Sequence, residues 1–251
     1  MTARIVGIDC LSPITPAILA ASAKATGQTA AFVGRYFTTM STPGSGEYHH
    51  RIENPVLAAR GIRVLPIARQ TNHVGGSHGD GFADGRANAL DLLATFGASY
   101  LQSQGGKFRI FLDVEGSGAS RLTPSYYLGW CSGLRLDTGD AEIIPCVYGI
   151  PGDNITWAAL RTALRSGATC GGIWLSHPFV EVYASTHEPI QWNEGMLKPF
   201  APIEGVDIVA WQYRFAGLYD CNILNPALAD ASEFLSTLVL PPSPPPKPEV
   251  A

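Results

Sequence analysis

Two rhythms of apolar and polar positions alternate along the chain. Short β-branched or aliphatic runs at residues 4–10, 29–37, 61–70, 107–116, 142–149 and 171–177 predict strands. Between them lie stretches with helical character: an alanine-rich segment at 15–26 closed by Gly27, a segment around 54–60, and 86–96 behind a glycine-rich loop at 73–85. A further helix is opened by Thr123-Pro124, in N-cap and first-turn positions, and another covers 156–165. Beyond His177 the rhythm breaks. Residues 178–205 carry no helical spacing, and strands at 206–215 and 219–224 follow one another closely. Alternating βα units imply a parallel sheet, either closed or doubly wound. Regular units first and shortened ones last fit a single irregular TIM-type (β/α) barrel of the α/β class, over residues 1–238. The remaining residues, 239–251, form a proline-rich tail: six of the last eleven are proline, which gives an extended end or a linker to a further domain or partner.

The most informative strand is Phe108-Arg-Ile-Phe-Leu-Asp-Val-Glu-Gly116. Alternation puts Ile110, Leu112 and Val114 on one face, and Phe111, Asp113 and Glu115 on the other. The aliphatic face suits a shell of helices. The other would carry two carboxylates about 7 Å apart along the strand, pointing into a barrel mouth. Adjacent acids in a partly closed site repel each other, so one can be held protonated as a general acid while its neighbour serves as base or charge stabiliser. Asp9 ends the first apolar run, and Trp211-Gln212-Tyr213 is followed seven residues later by Asp220-Cys-Asn222. Rings, amides and acids at one mouth are what a sugar cleft needs. Taken singly, Asp9 or Asp220 would more simply cap a helix or satisfy loop backbone.

These residues resemble a family. Gly7-Ile-Asp9, Asp113-Val-Glu115, Trp211-Gln212-Tyr213 and Asp220-Cys-Asn222 are similar to the motifs of glycoside hydrolase family 25, the lysozyme-type muramidases. Closer still, Gly7-Ile-Asp-Cys-Leu-Ser-Pro13, Phe32-Val-Gly-Arg-Tyr-Phe37 and Gly61-Ile-Arg-Val-Leu-Pro-Ile67 resemble the DUF1906 glycoside-hydrolase-like domain typified by an exported mycobacterial protein. The resemblance implies an irregular barrel that cleaves the β-1,4 bond of peptidoglycan or a related N-acetylated glycan. It makes Glu115 the general acid, Asp113 the neighbour that steers an N-acetyl group or water, and Asp9 and Asp220 the first- and late-strand aspartates. Tyr148, ending Ile144-Pro-Cys-Val-Tyr148, would line the site, and Gln212 would contact sugar. Where family 25 follows its first aspartate with Val-Ser, this chain has Cys10-Leu11. Where the third strand of that family ends in an aromatic-His pattern, this one ends Ile67-Ala-Arg-Gln70.

Arg35 and Tyr36 end the second predicted strand and would both reach the rim. Arg35 would there bind a substrate carboxylate, for which a guanidinium fork is suited, or form an ion pair with Asp9 or Asp113. Of the five tryptophans, Trp174 and Trp211 lie near strand ends and are the candidates for sugar stacking, whereas Trp130 and Trp157 fall in helical patterns and read as packing. The glycine-rich loop with His73 and His78 has neither a P-loop ending nor EF-hand spacing, so a flexible lid is expected there, with Asp80 or Asp84 near the next helix start. No metal and no cofactor are expected.

Composition narrows the classes further. With 46% hydrophobic residues the chain can bury a large core, and its net charge of −4 without a Lys/Arg cluster excludes a phosphate-tracking nucleic-acid binder. No apolar run reaches the roughly 18 residues of a spanning helix. Five scattered cysteines, with no C-x-x-C pair, read as buried thiols. The start, MTARIVGIDC, lacks a readable signal peptide, so synthesis in the cytoplasm with any export by a non-classical or phage-like route is expected. Two functions stay open: a glycan hydrolase, and a barrel that binds glycan or an envelope partner without cleaving it.

Overall fold

The computed structural model describes residues 4–37, 48–70, 73–115, 120–135, 138–176 and 192–243. Eight strands close into a barrel in chain order: β1 Val6–Asp9, β2 Phe32–Phe37, β3 Arg63–Ala68, β4 Lys107–Val114, β5 Glu142–Gly149, β6 Ile173–Ser176, β7 Ile208–Phe215 and β8 Asp220–Leu224. The first seven run parallel. β8 is antiparallel to both β7 and β1, so the parallel pairing that alternating βα units imply holds up to β7 and the abbreviated end of the barrel departs from it. The reason is local: a two-residue turn at Gly217-Leu218, with Gly217 at φ 83°, returns β7 directly as a hairpin.

The outer shell comprises α1 Pro16–Thr26, α2 His50–Ala58, α3 His78–Phe96, α4 Ala98–Ser103, α5 Pro124–Gly133 and α6 Asn154–Arg165, and α7 Ala231–Ser236 covers the lower end. The caps the sequence advertises are made. Thr15 and Thr123 accept from Ile18 N and Tyr126 N, and each is followed by proline in the first turn. Gly27 closes α1 in the left-handed region. No helix among the described residues is long and apolar enough to cross a membrane.

The expected lid at 73–85 is mostly helix. α3 starts at Ser77, which forms a capping box with Asp80, and runs through Gly79, Gly81 and Gly85. Local propensity argues against three glycines in a helix. Tertiary contact reverses that, because α3 and α5 lie nearly backbone to backbone. A Cβ on Gly81 would come 2.0 Å from Tyr126 O, and one on Gly85 2.2 Å from Trp130 O. From the other helix, Cβ atoms at Gly129 and Gly133 would meet His78 O and Phe82 O at 2.0 and 2.2 Å. Gly85→Ala and Gly133→Ala are therefore each expected to lower unfolding free energy by about 1–3 kcal/mol, as overpacking does. Gly79→Ala, whose Cβ would meet only Ser77 Oγ at 3.7 Å, is expected to be neutral or stabilising by up to ~1 kcal/mol. Urea midpoints that move alike for all three would contradict this reading.

The barrel is plugged below and polar above. At its lower end Arg109 donates to Thr237 Oγ1 (2.9 Å) and to Gly171 O, and lies over the Phe234 ring of α7. Phe32, Leu65, Phe111, Cys146, Trp174 and Leu224 fill the middle. Residues just past 238 touch the barrel: Val64 and Val239 exchange backbone hydrogen bonds, and Leu240 O accepts from Tyr100 and Gln104. All five cysteines are free thiols, four of them buried.

Candidate active site

The polar layer stands at the carboxyl ends of the strands, where barrel sites are built. On β4 the alternation is as expected. Ile110, Leu112 and Val114 pack outward with the shell, while Phe111 and Asp113 turn inward and Glu115 follows at the open mouth. Asp113 is buried and Glu115 is exposed.

Glu115 Oε1 meets two hydroxyls, from Tyr148 at 3.0 Å and Ser176 at 3.3 Å. Tyr148 OH also contacts Gln212 Oε1. A phenol has one proton. When it goes to Gln212, the phenol oxygen is free to accept from a protonated Glu115, so the cluster Glu115–Tyr148–Gln212 accommodates the acid form. Trp174 supports Tyr148 from below, with ring centroids 4.6 Å apart, and packs edge-on against Phe111.

Across the mouth, Trp174 Nε1 donates to Asn222 Oδ1 (3.0 Å), and Asn222 Nδ2 donates to Asp9 Oδ2 (2.8 Å). Burial holds the Asp9 carboxyl well above the usual range, reinforced by Asp220 and then by Glu115 and Asp113, with the Asn222 hydrogen bond opposing. Asp9 thus keeps its proton to a higher pH than an ordinary carboxyl does. Asp9, Asp113 and Glu115, after burial itself, raise the phenols of Tyr148 and Tyr36.

A carboxyl with a raised folded pKa binds a proton that the unfolded chain has lost, so its stabilising effect is complete below about pH 4 and fades as pH rises toward the folded value. Asp9→Asn, which can still accept from Asn222, is expected to melt close to wild type at pH 4. At pH 8 it should melt higher, by at least the ~2–4 °C that about 1 kcal/mol produces in a domain of this size. An unchanged gap between the two pH values would refute a raised Asp9 pKa.

Three sequence-predicted residues stand elsewhere than expected. Arg35 does not reach the mouth: Phe32, Gly34 and Tyr36 take the inward positions of β2, and Arg35, between them, turns outward. It is fully buried and paired with Glu53, with Nε–Oε2 at 2.9 Å, rather than with Asp9 or Asp113. Neighbours on a strand point to opposite faces, so Arg35 and Tyr36 cannot share the rim. Trp211 also faces outward, fully buried and stacked on Trp192 at 3.6 Å, which leaves no face for a sugar. Trp174 is inside the barrel but 1% exposed, a floor beneath the cleft. His73 contacts Asp84 on α3 (3.3 Å), whose other neighbour is the Tyr126 hydroxyl, and His78 starts that helix.

The sequence reading missed Ser176, Asn222 as a link, and Arg69. The signal for each was parity. Ser176 is two residues from Trp174, Asn222 two from Asp220, and Arg69 two from the inward Ile67.

No protein-family model and no curated protein matches the chain. Among solved structures it is similar to an uncharacterized B. stearothermophilus protein, at 20% identity over 93% of this chain and 99% of that one, with a TM-score of 0.63. That likeness shows a shared fold. A second solved structure, the catalytic domain of endolysin ply40 from a Listeria monocytogenes bacteriophage, aligns at 12% identity over 94% of this chain and 99% of that one, with a TM-score of 0.49. A likeness this loose carries no argument about chemistry.

Proposed function

We propose that the protein is a glycoside hydrolase acting on bacterial cell-wall glycan, of the muramidase kind. The observation that carries this is the β4 pair: an exposed Glu115, set between two hydroxyls at the mouth, with a buried Asp113 two residues below it on the same face. Glu115 protonates the leaving glycosidic oxygen. Asp113 orients the reacting N-acetyl group or activates water on the far side of the ring. Asp9 and Asp220 shape the local field, and Tyr148 and Gln212 hold Glu115 and contact sugar. Arg35, Trp211 and Trp174 have no direct sugar contact in this scheme.

The test is mass spectrometry of soluble products from purified peptidoglycan and from peptide-stripped glycan strands, with Glu115→Gln as the control. Products with new reducing N-acetylmuramic acid ends from the wild type alone support the assignment. No product from folded wild-type protein on either polymer overturns it in favour of a binding barrel.

A further inference from the structure

The polar layer holds one cation that none of the catalytic roles uses. Arg69 follows β3 directly, two residues beyond the inward-facing Ile67, and its guanidinium lies 5.3 Å from the centre of the Tyr36 ring. Arg69 is half-buried. Its Nη1 is fully buried, and among the described residues no acceptor reaches it. A buried donor without an acceptor is uncommon in folded proteins and requires an explanation. A guanidinium held over a ring face by cation–π attraction still has its N–H fork to offer to a planar anion.

Two of the nearby acids have partners of their own: Glu115 meets Tyr148 and Ser176, from β5 and β6, and Asp9 meets Asn222, from β8. Tyr36 feels Asp9, Asp113 and Glu115 together with Arg69, so the arginine shares their cleft. Arg35 holds its own partner, Glu53, outside the barrel.

We propose that Arg69 anchors a carboxylate carried by the bound glycan, so that the β3 side of the cleft selects an acidic sugar over a neutral one. This rests on the glycan-cleft reading above and adds to it which sugar is chosen and by what group. In wall peptidoglycan the lactyl carboxyl of muramic acid is joined by an amide to the stem peptide. A site of this kind therefore favours strands from which an amide-cleaving reaction has already removed the peptide.

Isothermal titration of full-length Glu115→Gln protein tests this with three probes: N-acetylglucosaminyl-N-acetylmuramic acid, its methyl ester, and the neutral chitin disaccharide. The acid is expected to bind at least about 10-fold tighter than the ester, about 1.4 kcal/mol. Adding Arg69→Gln should bring the acid down to the affinity of the ester, and Arg69→Lys, which keeps charge but not the fork, should fall between. Equal binding of acid and ester by the Glu115→Gln protein overturns the role of Arg69 while leaving the glycan cleft standing. Binding of none of the three by folded protein overturns the cleft itself. The acid–ester comparison needs no change at Arg69, so it holds even where an Arg69 variant folds poorly.

Discussion

Glu115→Gln is expected to lower glycan cleavage by about 10²–10⁴-fold, the range that loss of a positioned general acid produces. The substitution is nearly isosteric. A glutamine oxygen can accept from Tyr148 and Ser176 as the carboxylate oxygen does, and the side chain stands in solvent at the end of β4. Stability should therefore stay within about 0.5 kcal/mol of wild type. What disappears is the proton delivered to the leaving oxygen. Tyr148→Phe, which removes one of the two hydroxyls and leaves Ser176, is expected to reduce activity less. The check is the initial rate of reducing-end release alongside a urea melt. A Glu115→Gln enzyme that releases ends at the wild-type rate would remove Glu115 from the chemistry.

Glu53→Ala is expected to destabilise the barrel by about 3–5 kcal/mol, the cost of stranding one partner of a buried ion pair. Arg35 and Glu53 are both fully buried, with contacts of 2.9 and 3.1 Å between them. Glu53 also accepts from two backbone amides, Ile14 N at 2.9 Å and His49 N at 2.8 Å, and Arg35 donates to Cys10 O. The carboxylate thus joins the β1–α1 connection, β2 and the start of α2. Replacing both partners with apolar residues would not restore neutrality here as it does for some buried pairs, because both amides would lose their acceptor at about 1–3 kcal/mol each. Since Cys10 directly follows Asp9, loosening this network should also disturb the first-strand carboxyl. Urea denaturation of Glu53→Ala and Arg35→Met decides the matter, and losses under about 1 kcal/mol for both would show that the pair is dispensable.

The sequence by itself determined the barrel's rhythm and the makeup of its most informative strand. Strand period two is rigid, so Asp113 and Glu115 had to share a face opposite Ile110, Leu112 and Val114. Helix starts at Thr15 and Thr123 were equally legible, because an N-cap needs only its own side chain and the next turn. Tertiary structure decided what depends on partners far along the chain. Period two says which residues share a face, not which face is inside, and β2 carries apolar residues on both. Only closure of the barrel turned Tyr36 in and Arg35 out, and made Arg69 the arginine of the mouth. Trp211 lost its expected role for the same reason, since its covering partner Trp192 lies in a segment without regular spacing. The glycines of α3 read locally as a loop. They became helix because α5 presents Gly129 and Gly133 to them, and that backbone-to-backbone contact exists only between two helices, never within one.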